Sequence, residues 1–268
     1  MTKASLSTAY CWLFSRQFLE KVNNYILGCA LRARGYNNFQ NNRVSGEARF
    51  LSTVLKKMRP TICLDVGANV GEYSRLMLES TAAAVYAFEP LPSAFTGLSK
   101  LRNKFGSRFV AVNKGVGAAN ELLQIHFSAD ATEHASFSLE AKNIPYVRNE
   151  LSQEIEVITL DSFLASSPEI KAIDFLKIDT EGFEFEVLLG AKEALARQPP
   201  KMVQIEYNWH QLFKAQSLYS FSRLLSDYQV FQLLPNRLAR RDPKDPYSNI
   251  YHFSNFVFVR NDCLHLVD

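Results

Sequence analysis

The stretch from Thr61 to Ser74, TICLDVGANVGEYS, decides the fold of this chain. Residues 62–66 form an apolar run that is interrupted only by Asp65, and this pattern predicts a short buried strand. A tight turn through Gly67 and Gly71 follows, and the chain then enters a helix. A strand, a glycine turn and a helix in this order are how α/β proteins open a nucleotide site.

The turn in this stretch distinguishes two classes of nucleotide site. A dinucleotide site has the spacing G-x-G-x-x-G, which lets the backbone pack against a pyrophosphate, whereas this chain has Gly67-x-x-x-Gly71. Asp65, two residues before Gly67, would repel a pyrophosphate but suits a cationic amino-acid group. The turn therefore favours S-adenosylmethionine (SAM) over NAD, and the alternative is a strand–helix turn without a ligand.

Composition narrows the class of protein. The 268 residues are 47% hydrophobic and 21% charged, which predicts one large α/β domain with an appendage, or two small domains. A net charge of +3 is too small to indicate nucleic acid as the main partner. The four cysteines include no C-x-x-C pair, so we expect no disulfide framework or zinc site and a reducing, cytoplasmic compartment. No segment has the length and apolarity of a bilayer-spanning helix.

The predicted organisation is an N-terminal helical extension over residues 1–60, followed by the main domain over 61–268. Apolar residues recur at helical spacing from Leu13 to Leu27, with basic neighbours such as Arg16 and Lys21. Packing of this helix on the main domain or on a second subunit, as in a homodimer, is the favoured interpretation. Contact with a membrane surface is the alternative.

Four predicted strands end in an acidic residue: Asp65, Glu89, Asp179 and Glu206. Ligands of open α/β sheets collect at the carboxyl ends of the strands. Glu89 lies 24 positions after Asp65, close to the interval of about 20 residues at which an acid meets a ribose hydroxyl pair. A carboxylate accepts two hydroxyl hydrogen bonds, so we expect Glu89 to bind ribose.

Two polar stretches interrupt the α/β pattern. Residues 128–153 predict either a lid over a substrate or a solvated excursion. Residues 236–254 form a basic loop whose Arg237, Arg240 and Arg241 indicate either an anionic substrate group or a solvated surface. The strands predicted at 229–234 and 255–259 flank this loop without a crossover helix and should pair antiparallel. The predicted fold is thus a mostly parallel sheet with an antiparallel last strand.

Four segments together resemble the FkbM family of SAM-dependent methyltransferases. They are Leu64 to Ser74, Phe88-Glu89-Pro90, Leu176 to Glu184 (LKIDTEGFE) and Ile205-Glu206, within a resemblance that spans residues 45–215. The resemblance implies a class I methyltransferase fold of the Rossmann-like type, with SAM as cofactor. It also implies O-methylation of a hydroxyl, often of a sugar in a glycan, a glycolipid or a natural product.

The resemblance and the strand positions together suggest site residues. The methionine and sulfonium end of SAM is assigned to Asp65, Gly67, Ala68, Asn69 and Gly71, the ribose to Glu89, and the adenine to Lys114 and Gly115. A sugar hydroxyl is a poor nucleophile and benefits from a base or a cation.

Three residues are candidates for the base, in the order Asp179, Glu206 and His210. His134 ranks below them, and Glu181 either joins the site or caps the next helix. By analogy with related O-methyltransferases, Asp179, Glu206 and Asn208 could bind Mg²⁺ through their oxygen atoms. The competing interpretations are an NAD-dependent oxidoreductase and a non-catalytic SAM-fold binding protein.

Overall fold

The computed structural model describes residues 3–128, 135–137 and 149–267 of the chain. Most of the polar stretch at 128–153, including His134, lies outside these residues. The described strands are β1 Ile62–Val66, β2 Ala84–Phe88, β3 Phe109–Val112, β4 Gly115–Val116, β5 Glu121–Phe127, β6 Leu151–Ile158, β7 Phe175–Ile178, β8 Met202–Tyr207, β9 Tyr228–Leu234, β10 Arg237–Arg241 and β11 Ser254–Arg260.

Helices precede the sheet and connect its strands. They are α1 Lys3–Phe14, α2 Glu20–Ala33, α3 Glu47–Phe50, α4 Lys56–Met58, α5 Glu72–Ser80, α6 Pro92–Ser99, α7 Leu101–Phe105, α8 Leu160–Ala165, α9 Glu184–Leu189, α10 Lys192–Arg197, α11 Trp209–Phe213 and α12 Leu218–Leu224. A π-helical segment, Leu51–Leu55, joins α3 to α4.

The main sheet has eight strands in the order β10-β9-β11-β8-β7-β1-β2-β3. Strands β8, β7, β1, β2 and β3 run parallel, and β11 lies antiparallel between β8 and β9. This arrangement confirms the predicted fold, a class I methyltransferase sheet with an antiparallel last strand. The strand order reverses between β1 and β7, and such a switch point opens a crevice at the carboxyl ends of the strands.

Two features of the sheets differ from the sequence prediction. Residues 236–254 are not a simple loop, because β10 pairs antiparallel with β9 at the sheet edge. Charged side chains are tolerated at such an edge, which explains why an arginine-rich segment forms a strand. Strands β4, β6 and β5 form a separate three-stranded sheet beside the carboxyl end of β3.

The core occupies both faces of the main sheet. Phe175 and Leu176 are neighbours on β7 but belong to different apolar clusters, because successive side chains of a strand point to opposite faces. Phe50 and Leu55, in the helical segment before β1, are fully buried against one of these faces.

The helical extension predicted over residues 1–60 divides at Gly35. Tyr36 and Phe50 are fully buried in the core of the sheet domain, whereas α2 contains no buried residue. Most residues before Gly35 therefore project as a helical arm, although Leu31 near its end packs against the core, and those after Gly35 pack with the sheet. No helix in the described ranges is long and apolar enough to cross a membrane.

Candidate active site

The site begins where the ends of β1 and β7 approach each other. Gly67 has φ +80°, and a Cβ atom built on it would lie 1.7 Å from the carbonyl oxygen of Asp179. No side chain fits in that space, so only glycine allows the two strand ends to come this close. The approach brings the turn after β1 beside Asp179 at the switch point of the sheet.

The turn after β1 also positions Glu89. Asn69 adopts a left-handed conformation with φ +47°, and its backbone N–H donates to Oε2 of Glu89 at 2.8 Å. The backbone N–H of Leu91 donates to Oε1 of the same carboxylate, also at 2.8 Å. Glu89 is 6% exposed. Burial raises its pKa to about 7, although both N–H donors oppose the shift.

A cavity of about 320 Å³ lies over the carboxyl ends of β1, β2, β7 and β8. Its volume is in the usual range for small-molecule sites, roughly 300–1,000 Å³. The polar lining includes Asn69, Glu89, Lys114, Asp179, Glu181 and Glu206, and the apolar lining includes Val116, Ile125, Phe137 and Phe253. Gly115, which is predicted to lie beside the adenine together with Lys114, also lines this cavity.

A second cavity, of about 510 Å³, adjoins the first on the side of the N-terminal helices. The two share Phe39, Gly67, Asn69, Asp179 and Phe253 in their walls. Ala68 and Lys177 line the second cavity only. The two cavities form one elongated cleft that is pinched at Gly67 and Asp179.

Lys177 is a buried cation beneath this constriction between Gly67 and Asp179. Its Nζ lies 2.8 Å from Oδ2 of Asp179 and 4.0 Å from Oδ1 of Asp65, and it sits 4.7 Å from the ring centroid of Tyr73. Burial alone would lower the pKa of Lys177, but the carboxylates of Asp179, Asp65 and Glu47 raise it above its usual value. The ammonium group therefore stays charged and holds Asp179 in place.

Three carboxylates meet on the cavity wall: Asp179, Glu181 and Glu206. One oxygen atom from each lies within 4.8 Å of the others. Burial, and then the charges of Asp179 and Glu181, raise the pKa of Glu206 well above its usual value. Since like charges at this distance disfavour full ionisation, the cluster binds a proton or another cation more readily than an isolated carboxylate does.

His210 and Asn208 lie behind this cluster. Nε2 of His210 is 3.0 Å from Oε2 of Glu181, and the imidazole is only 3% exposed. Glu181 has φ +51°, an unfavourable backbone conformation for a residue other than glycine. His210 does not line either cavity. The geometry thus favours His210 as a residue that positions Glu181, rather than as the predicted base.

The predicted methionine-site residues divide into two groups. Gly67, Ala68 and Asn69 line the cleft, but Asp65 and Gly71 do not. Asp65 is fully buried, with Oδ2 accepting from Oγ of Ser74 at 2.6 Å and Oδ1 facing Lys177. Its side chain is absent from the walls of both cavities, so direct contact between Asp65 and SAM does not fit this geometry. Gly71 instead begins α5 in a left-handed conformation.

The family assignment follows from a direct comparison of the sequence. The family model described as the methyltransferase FkbM domain matches residues 65–234, which is more than half of the chain and begins near the end of β1. The chain belongs to the FkbM methyltransferase family. This confirms the resemblance noted in the sequence.

Relatives within this family carry methyltransferase names. The chain is 31% identical over 131 residues to the hexuronic acid methyltransferase AglP of Haloferax volcanii, covering 49% of this chain and 50% of the relative. It is 25% identical over 201 residues to the 2-O-methyltransferase NoeI of Sinorhizobium fredii, covering 70% and 79%. The match to the first relative thus spans half of that protein's length.

Among solved structures, the fold is similar to that of a SAM-dependent methyltransferase from Agrobacterium tumefaciens. The TM-score is 0.44 at 10% identity, over 82% of this chain and 62% of the other. The fold assignment rests on the strand order and on the family match.

The donor set of the FkbM-family site fits a hard cation only in part. Asp179, Glu181 and Glu206 offer three carboxylate oxygens, the ligand type that Mg²⁺ prefers. Asn208, the predicted third ligand, has Oδ1 accepting from the backbone N–H of His210 and Nδ2 donating to Glu206. Glu181, and not Asn208, provides the third oxygen of the cluster. The ammonium of Lys177 already neutralises Asp179 on one side.

Several residues of the site carry no assignment from the sequence alone. Lys177 interrupts an apolar strand with a charge, a signal that could have indicated a buried ion pair. Glu184 accepts hydrogen bonds from the backbone N–H groups of Thr180 and Gly182, and so fixes the loop that carries Glu181. The sequence of the LKIDTEGFE segment does not predict this role of Glu184, because it depends on the folded conformation of the loop.

The arginines of β10 do not join the site. Arg240 and Arg241 donate to the side chains of Gln229 and Gln232 on the neighbouring strand. Together with Arg237, they are absent from the walls of both cavities. The hint of an anionic substrate group taken from these arginines therefore finds no support in the cleft.

Proposed function

We propose that the protein is a SAM-dependent O-methyltransferase that methylates a sugar hydroxyl. The observation that carries the proposal is the layout of one cavity, with a hydroxyl-binding carboxylate, Glu89, on one part of its wall and the cluster of Asp179, Glu181 and Glu206 on another. Glu89 suits the ribose diol of a nucleoside. The carboxylate cluster suits an acceptor hydroxyl that must lose a proton.

The cofactor is assigned to the cleft as follows. Glu89 would accept hydrogen bonds from the two ribose hydroxyls, because its oxygens retain lone pairs beside the two N–H donors. Lys114, Gly115 and the apolar wall of Val116 and Phe137 would hold the adenine. The methionine part would extend past Gly67 and Asn69 toward the second cavity, whose wall includes Ala68. SAM supplies an electrophilic methyl group on a sulfonium ion.

The chain's own residues prepare the acceptor. Lys177 contacts Oδ2 of Asp179 at 2.8 Å and fixes that side chain, so Asp179 is suited to orient the acceptor hydroxyl. Burial and the charges of Asp179 and Glu181 raise the pKa of Glu206, which in its ionised form takes the proton as the new C–O bond forms. The methyl–sulfur bond breaks with its electron pair moving to sulfur, which leaves S-adenosylhomocysteine (SAH). Holding acceptor and donor in line is expected to supply much of the rate enhancement.

The sugar part of the proposal draws on the named relatives. One is named for hexuronic acids and another for a 2-O position. A hexuronic acid presents several neighbouring hydroxyls, and a wall of carboxylates hydrogen-bonds to such groups. Hexuronic acids and neutral hexoses are therefore the first acceptors to test.

The test uses Asp179→Asn and Glu206→Gln in the full chain, with isotopically labelled SAM and a panel of hexoses and hexuronic acids. We expect each substitution to lower kcat by about 100-fold or more, the usual contribution of a general base, and to leave SAH affinity nearly unchanged. Glu193→Gln, at an exposed surface acid, is the control and should keep full activity. Wild-type turnover in both site variants would refute their roles.

The two rival functions make different predictions. An NAD-dependent oxidoreductase would bind NADH and not SAH, although the turn lacks the dinucleotide spacing. A non-catalytic binding protein would bind SAH and methylate none of the panel, with no change on substitution of Asp179.

A bound magnesium ion is a second proposal for the same cluster. Asp179, Glu181 and Glu206 would hold it, and it would favour the alkoxide character of the acceptor. We then expect a chelator to abolish activity and Mg²⁺ to restore it. Indifference to both would show that protonation of Glu206 suffices.

We further propose that the protein works in the cytoplasm. All four cysteines are free, including the exposed Cys11 and Cys29, which suits a reducing compartment. Fractionation of the host cell tests the location, and recovery of the native protein with disulfide-bonded cysteines would contradict it.

A further inference from the structure

The helical arm formed by residues 5–33 exposes an unusual amount of apolar surface. Of the seventeen large hydrophobic side chains that are exposed in the described chain, ten lie between Leu6 and Leu27. Trp12 is 80% exposed, Phe18 77% and Tyr25 75%. Contiguous exposure of this kind marks an interaction surface, because isolated exposed apolar residues are normal but clusters are not.

The two helices of the arm hold each other through a few specific contacts. Oη of Tyr10 donates to Oδ1 of Asn23 at 3.0 Å, and Nδ2 of Asn23 donates to the carbonyl oxygen of Phe14 at 2.9 Å. The rings of Tyr10 and Phe14 stack with centroids 4.5 Å apart. The pairing of the helices thus leaves their large apolar side chains facing outward.

The net charge of the arm indicates which kind of partner binds to its exposed apolar surface. Residues 1–34 contain five basic side chains (Lys3, Arg16, Lys21, Arg32 and Arg34) against one acidic side chain, Glu20. The net charge of this segment, +4, exceeds the +3 of the whole chain. A second copy of the arm would bring like charges together, whereas a surface rich in anionic lipid would complement them.

The spacing along α2 supports the same partner. Lys21 and Arg32 are eleven residues apart, three helical turns, and so lie on one line of the helix. Val22, Tyr25 and Ile26 lie on the adjoining face, all exposed. An apolar face with aromatic side chains, flanked by long basic side chains, is the pattern of helices that lie in a membrane interface.

We propose that this arm binds the surface of an anionic lipid bilayer. Its place in the chain links it to the cleft: α2 ends at Ala33, and Phe39 lines both cavities. Six residues of extended chain span at most about 20 Å. Docking of the arm therefore keeps the mouth of the cleft near the bilayer, on the side where a lipid-linked acceptor would approach.

The test is vesicle flotation with the full chain. One set of vesicles is pure phosphatidylcholine, and the other contains one quarter phosphatidylglycerol. We expect the protein to float with the anionic vesicles at least tenfold more than with the neutral ones, and high salt to reduce the difference. The double variants Trp12→Ser with Phe18→Ser, and Arg16→Glu with Lys21→Glu, should each lose about tenfold or more of the bound fraction.

Leu122→Ser is the matched control, because Leu122 is 62% exposed on β5, away from the arm, and it should float like the wild type. Thermal melting of every variant verifies folding, and no assay of methyl transfer is needed. The flotation result can therefore be interpreted even if the proposed enzymatic function is wrong. Absence of flotation with both vesicle types would overturn the proposal. A dimer in sedimentation that is lost in the Trp12 variant, without lipid binding, would instead assign the arm to a second copy.

Discussion

Glu89 illustrates how one carboxyl group can be prepared for a diol ligand. Two backbone N–H groups, from Asn69 and Leu91, each occupy one lone pair of the carboxylate and fix its plane. Burial raises the pKa of Glu89 to about 7, so that at neutral pH the group is close to half protonated. A carboxylate suits the four hydrogen bonds that the ribose and the two amides would donate, whereas a protonated oxygen loses one of these acceptor positions.

This pKa predicts a pH dependence for cofactor binding. Since the folded, ligand-free chain holds the proton up to about pH 7, SAH affinity should rise with pH through that value. If only the carboxylate form binds, the affinity at pH 8 should exceed that at pH 6 by about tenfold. Calorimetric titrations across this range measure the effect, with the buffer's ionisation heat subtracted.

Glu89→Gln is the variant that isolates the cause. Its amide nitrogen must face a backbone N–H donor, so SAH should bind more weakly and the pH dependence should disappear. An unchanged pH profile in Glu89→Gln would assign the dependence to another group.

The paired ends of β1 and β7 are the structural element on which the cleft depends. The turn after β1 passes close to the carbonyl group of Asp179. Helix α5 begins only after Asn69 and Gly71, which both have left-handed backbone conformations. The backbone N–H groups of Gly67 and Ala68 both donate to the carbonyl oxygen of Phe88 at the end of β2. Three neighbouring strands therefore share one rigid junction, and the cavities lie directly above it.

A single methyl group should disturb this junction. In Gly67→Ala the new Cβ would lie 1.7 Å from the carbonyl oxygen of Asp179, which forces the strand ends apart. We expect SAH affinity to fall at least tenfold and the free energy of unfolding to fall as well.

Gly106→Ala provides the comparison, because Gly106 also has a positive φ of +58° but nothing within 4 Å of the added Cβ. It should cost about 1–3 kcal/mol of stability through backbone strain alone and leave SAH binding unchanged. Equal losses of SAH affinity in the two variants would contradict the steric explanation.

The sequence predicts elements of this kind better than it predicts the direction of side chains. Periodicity places β1, β2, β3 and the antiparallel pairing of β9 with β11, because buried strands have short apolar runs between turn residues. The same pattern does not reveal that Asp65 faces Lys177, since that depends on the register of β1 against β7. The strand β10 is also missed, because its arginines resemble a loop when the neighbouring strand is unknown.

At the scale of the whole molecule, a buried polar cluster joins the N-terminal helices to the sheet. Nε2 of Gln204 on β8 donates to Oε1 of Glu47 on α3, and Oε1 of Gln204 accepts from the hydroxyl of Tyr73 on α5. Lys177 provides the positive charge of this cluster between Asp65 and Asp179. The sheet, α3 and α5 thus meet around one cation beneath the active-site cleft.

Removal of this cation should destabilise the fold. Lys177→Met keeps an apolar stem but leaves Asp65 and Asp179 without their counter-charge, and breaking a buried pair in this way typically costs about 3–5 kcal/mol. Urea denaturation at neutral pH measures the change. Lowering the pH should narrow the deficit, because protonation removes the uncompensated charges.

Lys104→Met is the matched surface control. Lys104 makes an ion pair with Glu79 at 2.7 Å, but the two side chains are 59% and 37% exposed. Loss of such a pair should cost at most about 1 kcal/mol. A comparable loss in both variants would show that burial of Lys177 contributes little.

The most direct test of the enzymatic assignment is a calorimetric titration of the full chain with SAH, with NADH titrated in parallel. The cleft above β1, β2 and β7 predicts saturable binding of SAH, one molecule per chain, and no heat from NADH. The heat of SAH binding should be lost or strongly reduced in Gly67→Ala. Saturable binding of NADH, with no binding of SAH, would contradict the methyltransferase account.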